Sequence, residues 1–129
     1  MKNIRIGTMV RAEAAAGDYI RQIIPHGFEC FALTYPNGNY QGLPPEELAE
    51  KVMPELEGKD IEISCISVFG NPLMDTEEAQ LTRDCFKHAI ECAHLFHTNL
   101  VTGFTGQSSF ASAFGATSVL IMVSVALET

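Results

Sequence analysis

The sequence predicts an α/β domain with a parallel sheet, built in the order βαβαβαβ. Three observations carry this. Short apolar runs alternate with charged, helix-patterned stretches as far as His97. Each intervening stretch is long enough to hold a helix, which a crossover between parallel strands needs. The apolar runs end in Gly, Pro or Asn, whereas the helical stretches open on proline or an acid.

Ile4 and Ile6 alternate with Arg5 and run into Gly7-Thr8, which predicts the first strand. Asp18 is placed to cap a helix carrying Ile20, Ile23 and Ile24 on one side, and Pro25 with Gly27 stops it. A second strand, Phe28 to Leu33, closes in Tyr35-Pro36-Asn37-Gly38, where proline sets φ and Asn-Gly tolerates positive φ. The second helix opens at Pro44-Pro45-Glu46-Glu47, with proline where no amide donor is required and acids at the positive end of the dipole. Leu48, Val52 and Leu56 form its buried stripe, and Pro54 predicts a kink or an early end. Ile61 to Phe69 is the strongest strand, ended by Gly70-Asn71-Pro72. Asp75 and Glu78 fit a reciprocal capping box at the start of the third helix, whose buried face is Thr82, Cys85, Phe86, Ala89, Ala93 and Phe96. Asn99 to Phe104 reads as a fourth strand and Gly103-Phe104-Thr105-Gly106 as its turn. Two architectures fit this order: a small doubly wound sheet, or the first half of a (β/α)8 barrel, whose full length is about 250 residues.

A chain of 129 residues, 47% apolar, suits one domain with a real core. All eight Lys and Arg and fifteen of the sixteen acids lie before the fourth strand, and Thr98 to Leu127 carries no charge. The reading therefore divides the chain into a domain over 1–106 and an atypical tail over 107–129, which supplies an extra strand or helix against the domain. The net charge of −8, with its few cations scattered singly, speaks against binding nucleic acid or an anionic membrane. Within the tail only Val119 to Leu127 is strongly apolar, too short to span a bilayer. Four cysteines with no CxxC pair, and no signal-like run in Met1 to Val10, predict reduced thiols in a cytoplasmic protein.

In either architecture ligands sit at the carboxyl ends of the strands. This selects Thr8, Met9, Thr34, Tyr35, Gly70, Asn71 and Gly103 to Gly106, with Thr34, Asn71, Gly103 and Thr105 as the substrate-binding candidates. Asn71 can donate to and accept from a hydroxyl, and Thr105 between glycine amides can hold a hydroxyl or phosphate oxygen. Turn sequences supply the same residues without any ligand. Asp84, His88 and Cys92 share a stripe at four-residue spacing, which meets one criterion for zinc. Solvent-facing roles for Asp84 and His88 and a core role for Cys92 explain that spacing more simply. His94 and His97 suit the end of a helix dipole, while His26 and Glu29 lie at the amino side of the sheet. No catalytic residue emerges, because no carboxylate pair, His-Glu-x-x-His or Ser-His-Asp set is placed at strand ends.

Ile4-Arg5-Ile6-Gly7-Thr8-Met9, His26-Gly27-Phe28-Glu29, Ile63 to Leu73 with its Phe-Gly-Asn-Pro-Leu, Ala93-His94-Leu95-Phe96 and Val101-Thr102-Gly103-Phe104-Thr105-Gly106 recur in a telling order. Together, over roughly residues 3 to 106, they resemble the sugar phosphate isomerase/epimerase family of xylose isomerase-like TIM barrels. The resemblance implies the barrel architecture and keto-aldo or epimerisation chemistry on a small-molecule sugar or sugar phosphate. It also implies a divalent metal that polarises the sugar, with paired glutamates moving the proton. In the family the metal ligands and glutamates come from later strands, so this chain matches an N-terminal half without metal ligands of its own. Gln107 stands where the family would continue with a basic residue, and Asn71 and Gly103 stand where the endonuclease branch would place histidines. A half barrel leaves open sheet edges, from which homo-oligomerisation is expected. The alternative is a non-catalytic α/β binding or self-association domain.

Overall fold

A computed structural model describes residues 4–40, 43–106 and 121–126. The elements are β1 (Gly7–Arg11), α1 (Ala16–Ile23), β2 (Cys30–Tyr35), α2 (Pro45–Leu56), β3 (Glu62–Val68), α3 (Glu77–Cys92), β4 (Leu100–Gly106) and β5 (Ile121–Ala126). They form one five-stranded sheet in sequential order, with β1 to β4 parallel and β5 antiparallel to β4. No reversal of strand order occurs among the described strands, so the switch point that defines a doubly wound sheet is missing.

One face of the sheet makes the core. Val10, Leu33, Ile66 and Val101 stand in register across β1 to β4, and all are buried with Ile20, Leu48, Val52, Cys85 and Ala89 from the helices. The helices form a single layer, α1 packing on α2 and α2 on α3. A register shift between β2 and β3 resets the alternation, so Ile63 and Ile66, three apart, both reach the core while Ser64 is left out.

Arg5 fastens the amino ends of the strands. Its guanidinium donates to the carbonyls of Glu29 and Asp60, pairs with the Asp60 carboxylate at 2.8 Å and meets Glu62 at 3.2 Å. These contacts raise the Arg5 pKa, chiefly through the hydrogen bond to Asp60.

Several boundaries differ from expectation, each for a non-local reason. β1 begins at Gly7, because pairing with β2 starts at Gly7 opposite Cys30, and Ile4 and Ile6 are exposed. Met9 is thus inside the strand, and Arg11 is its carboxyl end. β2 likewise lies two residues later than expected, at Cys30–Tyr35. Ala15, with no side-chain hydrogen bond, precedes α1, so Asp18 lies in the first turn instead of capping it. α2 ends two residues past Pro54, the early end that proline imposes.

α3 is capped by Thr76, whose hydroxyl accepts from the Ala79 amide at 3.0 Å, one residue beyond the Asp75 box. Thr76→Ala is therefore expected to cost about 1 kcal/mol in chemical denaturation, and Asp75→Ala about 0.3 kcal/mol, the loss of an acid near the positive end of the helix dipole. The reverse order of effects would return the cap to Asp75. Gly103 to Gly106 is strand and not turn, because β5 pairs with it from Gly103 opposite Val123 to Gly106 opposite Ile121. The tail thus contributes Ile121–Ala126 to the sheet, and residues 107–120 lie outside the described residues. Among the described residues, no helix is long and apolar enough to cross a membrane.

Candidate functional site

The sheet face away from the helices carries a polar row at its carboxyl end. Register places Arg11 opposite Thr34, Thr34 opposite Ser67, and Ser67 opposite Thr102, with position 124 of β5 next in line. Arg11, Thr34, Ser67 and Thr102 are the side chains left over when alternation sends Val10, Leu33, Ile66 and Val101 to the core. The Ser67 and Thr102 hydroxyls share a 2.6 Å hydrogen bond, Cys65 Sγ lies 3.6 Å from Ser67 Oγ, and Thr34 Oγ1 donates to the Val10 carbonyl at 3.5 Å. Thr34, Ser67 and Thr102 are only 4%, 6% and 9% exposed, so the hydroxyls are held in place and not solvated freely.

Two residues further along, Phe69 just past β3 and Phe104 of β4 stack with ring centroids 4.7 Å apart and planes 23° apart. Arg11 is exposed at the near end of the row. Hydroxyls that both donate and accept, an aromatic surface and a guanidinium suit a small polyhydroxylated ligand with an anionic group.

Of the four substrate-binding candidates read from sequence, Thr34 lies in this row. Asn71 lies in the loop after β3, where its carbonyl accepts from the Met74 amide at 3.3 Å. Gly103 is on the opposite side, against Phe86 of α3 and the Val68 carbonyl. Thr105 borders a cleft of about 230 Å³ with Phe86, Lys87 and Arg83, on the helix side. The structure therefore sets Thr34 and Asn71 apart and leaves Gly103 and Thr105 together beside Phe86. Phe104 falls within the strand-end set Gly103 to Gly106, whereas Ser67, Thr102, Phe69 and Arg11 were not singled out by sequence, although the alternation in Ile66-Ser67-Val68-Phe69 and Val101-Thr102-Gly103-Phe104 contains the signal.

A cavity of about 880 Å³ lies elsewhere, between α2 and the turn after α3. Its floor is apolar, including Met53, Leu56 and Phe96, and its polar edge carries Glu46, Glu50, Glu57 and Glu62. Glu62 marks the amino end of β3, so this groove opens opposite to the end where parallel α/β sheets hold ligands.

The histidines and acids also find definite places. Asp84 accepts from Gln80 at 2.8 Å, and its carbonyl accepts from Tyr40 at 2.9 Å, so it does not join His88. His88 instead meets Glu46 of α2 at 2.8 Å. His94 Nδ1 bonds the Glu91 carbonyl at 3.0 Å, while His97 adopts a left-handed conformation that closes the turn after α3. Glu29 accepts from the Ile6 amide at 3.2 Å, a structural task. All four cysteines are free thiols; burial pushes Cys85 up to about 12 and Cys92 up to about 11.

Among the described residues, one group of three or more His, Cys, Asp or Glu side chains converges closely enough for a metal, namely Glu46, His88 and Cys92 in the helix layer. The carboxyl ends of the described strands offer no such set, so the divalent ion implied by the resemblance does not fit there. Comparison with protein-family models gives no match, and neither the curated proteins nor the solved structures contain a match.

Proposed function

We propose that this chain provides a sugar phosphate-binding wall of the isomerase/epimerase barrel type. The observation that carries the reading is the Arg11–Thr34–Ser67–Thr102 row beneath the Phe69–Phe104 stack, at the carboxyl end of sequentially ordered parallel strands. Sequential order with a single helix layer supports a half barrel, since that arrangement puts the helix-free face on the inside of the curve. The hydroxyl row would bond sugar hydroxyls, the aromatic face would cover C–H groups, and the Arg11 fork would meet the phosphate. No proton-transfer step is assigned to the described strand-end residues, which bind and orient.

The test is an amide NMR titration of the full chain with ketoses and their phosphates. Shifts clustered on Thr34, Ser67, Thr102 and Phe104 are expected, with the phosphorylated sugars binding more tightly. Arg11→Gln should erase that phosphate preference, a loss of about tenfold for a charge-assisted contact worth about 1.5 kcal/mol. Sugar phosphates that shift none of these residues would defeat the reading.

A second reading, a non-catalytic α/β binding or self-association domain, is favoured by one observation. Antiparallel β5 occupies the β4 edge where a fifth parallel strand would add. Self-association through the remaining edges would appear as a concentration-dependent mass in light scattering.

A further inference from the structure

We propose that Glu46, His88 and Cys92 form a transition-metal site, with zinc the best chemical match, in the seam between α2 and α3. Their ligand atoms all lie within 4.8 Å of one another. In a tetrahedral zinc site with bonds of about 2.0–2.3 Å, neighbouring ligand atoms are about 3.3–3.8 Å apart, so small side-chain movements suffice. The set combines a carboxylate, an imidazole and a thiolate, and the site is distinct from the strand ends discussed above.

The fold supplies the positions. His88 and Cys92 are one turn apart on α3, and Glu46 reaches them from the first turn of α2. The His88 ring is braced by Tyr40, edge to face at 5.0 Å, and Tyr40 is itself anchored by its hydroxyl on the Asp84 carbonyl at 2.9 Å. Cys92 is 6% exposed, which protects the thiol, while Glu46 is exposed and leaves a coordination position open to water. Three protein ligands with the fourth position left to solvent make an open site, unlike the closed four-ligand sites of structural zinc.

The metal-free arrangement already holds protons where an ion would sit. The His88 Nε2–H donates to the Glu46 carboxylate at 2.8 Å. On binding, Zn²⁺ takes a lone pair from each of the three ligands. The Cys92 Sγ proton leaves to solvent, and neutral His88 carries its N–H on Nδ1, so one proton is released per ion. The carboxylate and thiolate together offset the charge of the dication.

The experiment is titration of the purified full chain with Co²⁺, followed by competition with Zn²⁺. One Co²⁺ per chain is expected, with intense tetrahedral visible bands and a near-ultraviolet thiolate-to-cobalt band, both displaced by one equivalent of Zn²⁺. Cys92→Ser should remove the thiolate band, while a Cys30→Ser/Cys65→Ser variant should keep it. Because Cys92 is buried, His88→Gln and Glu46→Gln provide surface variants that leave the core intact. Each should weaken binding by at least about tenfold, since losing even an outer partner of a metal ligand costs about 10–100-fold. A thiolate band that persists in folded Cys92→Ser, affinity unchanged in both surface variants, or no tetrahedral cobalt spectrum at all would overturn the proposal.

Discussion

Phe31→Ala is expected to lower the unfolding free energy by about 3–5 kcal/mol, the range for emptying a buried aromatic site. Phe31 is fully buried on β2, faces the helix layer, and has Phe28 tilted against it at 6.3 Å. It sits in the central part of the sheet, paired with Thr8 of β1 and Ile63 of β3, so collapse around the hole would have to move two strands. Domains are stable by only about 5–15 kcal/mol, so this single change removes a large share. Urea unfolding measures it: the midpoint should fall with little change in slope. Phe31→Leu, which keeps most of the volume, should cost less than about 1.5 kcal/mol. A loss below about 1 kcal/mol for the alanine variant would show that this side chain is not enclosed as described.

Gly103→Ala should also be costly, for the opposite reason. A β-carbon at Gly103 would run into the Phe86 ring and come 2.6 Å from the Val68 carbonyl oxygen. The ring can turn aside, but the carbonyl belongs to β3, where Val68 is the residue paired with Gly103. Overpacking costs about 1–3 kcal/mol, and a backbone obstacle puts this case at the upper end. Gly106→Ala is the control: among the described residues nothing lies within 4 Å of a β-carbon there. Adding Phe86→Leu to Gly103→Ala should recover part of the loss, the rest being due to the carbonyl. Equal unfolding midpoints for the two alanine variants would contradict this packing. The glycine that sequence offered as a ligand contact is thus expected to act through strand–helix spacing.

Which features were legible follows from how local their causes are. The helical stripe Leu48, Val52, Leu56 and the βαβ alternation depend on residues a few positions apart, and the structure contains both. Strand limits depend on partners, so Ile4 and Ile6 gave a strand signal yet stay outside the ladder. Gly103 to Gly106 carries turn chemistry, but a strand from the uncharged tail recruits it into the sheet. Thr34 was visible as a strand-end hydroxyl. Ser67 and Thr102 were not, because small hydroxyls inside apolar runs look like interruptions until register aligns them. His88 and Cys92 were visible as a helical pair, whereas Glu46, 42 residues from His88, could not be associated with them by spacing. Asp84 took its place only on paper.

The antiparallel direction of β5 sets the rim of the sheet at which that strand ends. Ala126 lies beside Leu100, at the rim fastened by Arg5, while Ile121 lies beside Gly106 at the Phe104 end. A reporter or affinity handle joined after Ala126 therefore departs from the far rim of the sheet. It leaves the hydroxyl row clear, which makes that rim the natural tether for immobilising the protein when the proposed ligand binding is measured.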